Sequence, residues 1–182
     1  PNTLFTRDSS AWLYNGVVLP PLFWAARRME VVNVSLIYRY HPGFAGGRFA
    51  FWHPPVGDTS RFALDDLVQG ASLEGGDIMP IGNRTVLVGL GERSTGRMVE
   101  HVASALFAAD EADRVIVCRM AQERAYMHLD TVFTFLDRDA VTVYPSVIEG
   151  MRVFSVRPGE RTDSFEITEE RGRDHTYLGD LL

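Results

Sequence analysis

The feature that most constrains this chain is an order of elements that occurs twice: a β-hairpin, then an amphipathic helix, then a closing strand. In "AWLYNGVVLP" two short β-prone runs flank Asn15-Gly16, a strong short-range hairpin signal. From Trp24 to Tyr40, Met29, Val32, Leu36, Ile37 and Tyr40 fall at helical spacing, until His41-Pro42-Gly43 stops the pattern. "RFAFW" then reads as a strand, and Pro54 to Gly70 as a loop with one helical turn at Leu64 to Val68. The order recurs in "DIMPIGNRTVLVGLG", a hairpin about Gly82-Asn83. A helix follows, with Thr95 as N-cap and Met98, Val99, Val102 and Leu106 on one face, and "DRVIVCR" closes the unit. A third hairpin, "TVFTFLDRDAVTVYP", turns at Arg138-Asp139, after which the pattern blurs through "MRVFSVRP" into a charged tail. The expectation is one α/β domain over 1–182, with modules near 1–70, 71–125 and 126–182. Such units bury their faces against copies of themselves.

Each unit opens on polar residues: Thr6-Arg7-Asp8, Glu74-Gly75-Gly76-Asp77 and His128-Leu129-Asp130. Thr131 to Leu136 is an apolar, β-prone run, and because side chains two apart on a strand point the same way, His128 and Asp130 at its mouth are expected to aim together beyond the strand's start. Taken alone, that pair is a polar cap on a buried strand. Three sets in register predict instead that Asp8, Glu74, Asp77, His128 and Asp130 share a cavity near a pseudo-symmetry axis.

A net charge of −6 and a pI near 5.3 argue against a general nucleic-acid binder, which needs a basic surface. No apolar run approaches a membrane span, and the first residues lack a signal-peptide pattern, so the expected location is cytoplasmic. The lone cysteine, Cys118, sits among apolar β-formers in "RVIVCRM", which predicts a small buried hydrophobe. Opening on "PNTLFTRD" without Met and stopping at "YLGDLL", the chain reads as part of something longer.

Several carboxylates and a histidine in one confined site call for a cation. A divalent metal could take His128 and the carboxylates as ligands. A guanidinium could take the carboxylates as planar bidentate acceptors. The double glycine of "LEGGD" permits close backbone approach and positive φ, which modestly favours an organic ligand.

The segments "PNTLFTRDSS", "ARRMEVVNVSLIYRYHP", "LEGGDIMPIGNRTVLVGLGERST", "RAYMHLDTVFTFLDRDAVTVYP" and "FSVRP" together resemble the middle of the bacterial arginine deiminases, in the guanidino-group-modifying (pentein) superfamily. The resemblance runs from Pro1 to about Pro158. It implies a partial α/β propeller of repeated ββαβ modules, an incomplete ring. It implies Asp8 and Asp130 gripping a guanidinium, Glu74 beside them, and His128 as general acid and base. Asp77 would support the turn, Arg27 and Arg93 would meet a substrate α-carboxylate with Asn2, and Phe5 would pack on the aliphatic part. On the residues alone, Arg27 reads as a solvated helix position and Arg93 as a loop ion pair. The family's reaction turns L-arginine into L-citrulline and ammonia, without metal or organic cofactor, through a cysteine in a Gly-rich loop. No such segment occurs here, and Cys118 matches a strand, so the isolated chain is expected to be inactive. Homo-oligomerisation or association with the missing segments is expected, and neither nucleic acid nor membrane is an expected partner. The alternatives are another deiminase or amidinotransferase, a silent guanidinium binder, and a metal-dependent hydrolase.

Overall fold

Two hairpin-helix-strand units organise the computed structural model, which describes residues 3–44, 46–54, 70–161 and 164–170. In the first, β1 (Ala11–Leu13) pairs antiparallel with β2 (Gly16–Val18), the helix α1 (Arg28–Tyr40) crosses over, and β3 (Ala50–His53) returns parallel to β2. In the second, β4 (Ile78–Gly82) and β5 (Thr85–Leu90) form the hairpin, α2 (Gly96–Ala108) crosses over, and β6 (Arg114–Arg119) returns parallel to β5. The expected loop at Pro54 to Gly70 lies almost wholly outside the described residues, as does the end of the chain from 171.

Both early hairpins turn one residue before or after the expected position. Leu13 pairs with Gly16, so Tyr14-Asn15 makes the first turn, with Tyr14 at φ 52°. Gly16 belongs to the strand because a Cβ there would lie 2.5 Å from the Trp52 indole. In the second hairpin Asn83 and Arg84, at φ 46° and 56°, carry the turn. Both central residues at positive φ match the right-handed twist of the strands.

The third unit departs from the pattern. β7 (Phe133–Asp137) and β8 (Ala140–Val143) form a hairpin turning at Arg138-Asp139 that is a two-stranded sheet among the described residues, and α3 (Pro145–Glu149) is a five-residue helix. β9 (Arg152–Pro158) then pairs antiparallel with β6 rather than with β8. Part of the expected charged tail is β10 (Phe165–Glu170), in which Phe165 and Ile167 alternate with Glu166 and Thr168. The second sheet thus runs β10-β9-β6-β5-β4.

Period-two alternation in β5 and β6 divides the core. Val86, Val88, Val115 and Val117 face α2 and the first sheet, packing with Met98, Val102 and Leu106. Leu87, Ile116 and Cys118 face the third unit, packing with Leu129, Val132 and Phe133. A strand covered on both faces has to be apolar along its length, as "VLV" and "VIVC" are.

The expected buried stripe of α1 is its exposed one. Met29, Leu36, Ile37 and Tyr40 are 57%, 51%, 48% and 73% exposed, while Glu30, Val31 and Ser35 are buried. A second apolar set, Val31, Val34 and Tyr38, packs inward at the same helical spacing. The choice between them follows the charges: Glu30 is drawn inward by Arg27, and the Arg39 guanidinium lies 4.4 Å from the Phe51 ring centre. An uncharged apolar helix face open to solvent predicts self-association. Sedimentation of the chain is expected to show a concentration-dependent oligomer, and Leu36→Glu with Ile37→Lys should return it to monomer. A monomer at high concentration in the parent chain would count against this.

Candidate active site

A cavity of about 680 Å³ opens where the lead-in segments of the three hairpins meet. Asp8, Arg27, Arg93, His128 and Asp130 line it together with Phe5, which is 56% exposed. Glu74 stands fully buried behind His128. Asn2 lies outside the described residues.

The double glycine explains how these segments come so close. A Cβ on Gly75 would meet the Arg7 carbonyl at 2.0 Å, and Gly75 N–H donates to the Asp8 carbonyl at 2.9 Å. A Cβ on Gly76 would lie 2.8 Å from His128 Nδ1 and 2.9 Å from Asp130 Oδ2. Neither glycine has positive φ, so close approach alone is the requirement at this turn.

His128 and Asp130 converge on Gly76 by a route other than strand alternation. His128 is extended, Leu129–Thr131 forms a 3-10 turn, and the strand begins only at Phe133. The Thr131 hydroxyl and amide both donate to the His128 carbonyl, at 2.6 and 3.2 Å, which favours a tight turn over a straight lead-in. Turn chemistry there overrides the β-propensity of the following run.

Glu74 Oε2 lies 2.6 Å from His128 Nε2 and accepts from Arg93 Nη1 at 3.1 Å, while Oε1 accepts the Phe23 amide at 3.3 Å. Asp8 Oδ1 lies 3.7 Å from His128 Nδ1. Asp8 Oδ2 accepts from Arg27 Nη1 at 2.7 Å. Arg27 also grips Glu30 with Nε and Nη2, at 3.0 and 2.9 Å, so it is a half-buried clamp and not a solvated helix position. Arg93 is 5% exposed, and its Nε makes an ion pair with the neighbouring Glu92 Oε2 at 3.5 Å, as the loop ion-pair reading expects.

Six lining residues lie outside the set expected from sequence: Leu4, Thr6, Arg7, Trp24, Arg124 and Met127. Arg7 lies 3.9 Å from Asp130 Oδ2 and donates to the Ile78 carbonyl at 2.9 Å, fastening the first lead-in to β4. Its place beside Asp8, and that of Met127 beside His128, were the available signals.

Donor atoms of Asp8, Glu74 and His128 lie within 4.8 Å of one another, a spacing that a divalent cation could bridge. The two carboxylates already have cationic partners in Arg27 and Arg93, and a metal there would face both guanidinium charges at close range. The charge pattern fits a planar, hydrogen-bonding cation better than a compact divalent one.

The sequence profile of the family described as arginine deiminase matches residues 1–177. Among solved structures, the chain is similar to ArgZ, an arginine dihydrolase from the ornithine-ammonia cycle in cyanobacteria, with 23% identity and a TM-score of 0.57 over 81% of this chain and 20% of that one. It is similar to a mutant of AgrE in binary complex with L-arginine, with 22% identity and a TM-score of 0.56 over 80% of this chain and 18% of that one. A mutant of DDAH from Pseudomonas aeruginosa complexed with citrulline matches with 16% identity and a TM-score of 0.52, over 78% of this chain and 46% of that one. These likenesses show a shared α/β fold, and the chain spans less than half the length of each of these structures.

Electrostatics distinguish the acids. Burial raises the Glu74 carboxyl, but hydrogen bonds from His128 and Arg93 outweigh it and leave its pKa below the ordinary 4.5. Burial would lower His128; the hydrogen bond to Glu74 and the charges of Asp77 and Asp8 reverse this and hold it above 6.5. Burial raises Asp130, against the opposing charges of His128 and Arg7. Asp77, fully enclosed, is pushed by burial from 3.8 to about 7. Cys118 is likewise pushed up to about 12.

The signs combine. Unfolded, Asp77 ionises above 3.8; folded, it holds its proton to about 7, so its contribution to stability is lost as pH rises between those values. The raised His128 contributes stability that is full below 6.5 and lost as pH rises through its folded pKa. The lowered Glu74 acts oppositely, its contribution being lost as pH falls below 4.5 through its folded pKa. Stability should therefore peak at mildly acidic pH. A displacement the size of Asp77's corresponds to about 4 kcal/mol between protonation states. Urea denaturation is expected to show lower stability at pH 8 than at pH 5.5, and Asp77→Asn should narrow that gap. An unchanged gap in the variant would remove Asp77 from this account.

Proposed function

Since the chain belongs to the arginine deiminase family, we propose that it is the substrate cradle and proton shuttle of a cytoplasmic enzyme hydrolysing L-arginine to L-citrulline and ammonia. The observation that carries this reading is the 2.6 Å contact between Glu74 and His128, flanked on one cavity wall by Asp8 and Asp130. In this reading Asp8 and Asp130 accept hydrogen bonds from the substrate guanidinium. Arg27 and Arg93 meet the α-carboxylate, Arg93 doing so from a buried position in which its Nε lies 3.5 Å from Glu92 Oε2. Asn2 assists them at the α-carboxylate, and Phe5, whose ring centre is 6.0 Å from the Arg27 guanidinium, packs on the methylene chain.

The chemistry runs in two steps. A thiolate attacks the guanidinium carbon, a C–S bond forms, the C–N bond breaks, and ammonia leaves with a proton from His128. Water then attacks the same carbon, gives a proton to His128, and the C–S bond breaks to release the ureido product. Glu74 holds the imidazole in place and favours its protonated form. Cys118 is unsuited to be the thiolate: it is fully buried in β6, and its thiol is pushed up to about 12. We assign the nucleophile to sequence outside residues 1–182, where the further modules of a closed ring would also lie.

Two readings compete. A silent guanidinium binder would bind L-arginine without turnover even in the longer protein. A metal-dependent hydrolase, favoured by the spacing of Asp8, Glu74 and His128, would show stoichiometric metal on elemental analysis.

The isolated chain is expected to release no citrulline, and the longer protein to release it. In the longer protein His128→Ala should still bind L-arginine but turn over at least about a hundredfold more slowly, and lose the imidazole limb of its pH profile. Citrulline from the isolated chain, abolished by Cys118→Ala, would overturn the assignment of the nucleophile. Agmatine, lacking the α-carboxylate, should be a poor substrate, and Arg93→Ala should lower kcat/KM for L-arginine by about tenfold or more while barely changing that for agmatine. Equal losses on both substrates would take Arg93 out of that role.

A further inference from the structure

Asp77 has no place on the cavity wall and no exposure to solvent, yet it touches both halves of the site from behind. Its Oδ1 accepts the Leu129 amide at 2.7 Å, and Leu129 is the residue between His128 and Asp130. Its Oδ2 accepts the Ser94 hydroxyl at 2.5 Å, and Ser94 follows Arg93. Its own amide donates to the Glu74 carbonyl at 2.9 Å. β5 makes room for it, since a Cβ on Gly89 would lie 2.2 Å from Asp77 Oδ1.

We propose that Asp77 is the positioning residue of the site, one buried acid side chain that sets His128, Asp130 and Arg93 relative to Glu74 by holding the segments next to them. The inference rests on the guanidino reading of the cavity given above. A carboxylate that merely finished a local turn would bond within its own turn. Asp77 instead reaches 17 residues forward to Ser94 and 52 to Leu129. The two oxygens serve different parts of the ligand. Oδ1 governs the end that meets the guanidinium, and Oδ2 governs the arginine assigned to the α-carboxylate. Substitutions at the two contacts therefore separate by ligand.

The test uses the 182-residue chain with labelled histidine, the His128 imidazole signals being assigned with His128→Gln, and calorimetric titration with L-arginine and agmatine. Asp77→Asn keeps an oxygen for Leu129 and offers Ser94 an amide, so L-arginine affinity should stay within about threefold of the parent. Asp77→Ala strands both partners; it should shift the His128 signals and weaken L-arginine by about tenfold or more. Ser94→Ala should weaken L-arginine by about fivefold, leaving agmatine and the His128 signals unmoved. Folded Asp77→Ala with parental His128 signals and parental affinity overturns the proposal. So does Ser94→Ala weakening both ligands equally. Should Asp77→Ala fail to fold, Asp77→Asn and Ser94→Ala decide the matter, Asn losing affinity as severely as expected for Ala being the adverse result. If the parent chain binds neither ligand, the guanidino reading fails. The His128 signals then still test Asp77 by themselves.

Discussion

Everything at this site follows from the burial of Glu74. A carboxylate with no exposure is tolerated only when its charge is met and its lone pairs are filled. Glu74 achieves this with His128, Arg93 and the Phe23 amide, which come from three separate stretches of chain. Its Oε2 also lies 3.8 Å from Arg27, which is itself gripped by Glu30 and Asp8. The result is an alternating array of acid and base in which no member can shift without exposing another's charge. Preorganisation of this kind suits a site that must stabilise charge as it develops.

Much of the scaffold was legible because its signals were local. Asn83 sat in a turn demanding positive φ, Thr95 stood one residue before α2, and the α2 face of Met98, Val99, Val102 and Leu106 is the buried one. Thr95 spends its hydroxyl on Ser72 rather than on the helix, a contact 23 residues away that no local pattern reports. The misreadings share that cause. α1 turns an apolar stripe outward because Arg27 and Arg39 find partners inside, and β9, which follows the third hairpin in sequence, joins the second sheet by pairing with β6. Both outcomes were decided between elements rather than within them.

The site was legible in its residue types and less so in its geometry. Three acidic lead-ins in register indicated convergence, and Asp8, Glu74, His128 and Asp130 do lie together. Alternation along a strand was the wrong route to that result, since a 3-10 turn carries His128 and Asp130 to Gly76. The arginines were harder. Arg27 reads as solvated because a helix wheel shows spacing but not the acid three residues on, and the partner of Arg7, Asp130, lies in another unit where no local pattern reports it.

The separation of these partners along the chain carries a consequence for how the molecule forms. The His128 to Glu74 contact spans 54 residues, and the lead-ins that carry Asp8, Glu74 and His128 are shared out among three hairpins in three different sheets. Contacts at such separations are entropically costly to close and form late. Each sheet can acquire its own ladder early, but the cavity exists only once all three have docked. Until then a carboxylate destined for full burial remains hydrated and unpaired. The cavity is therefore a readout of completed folding, and any step that stalls docking leaves a chain rich in native secondary structure without it.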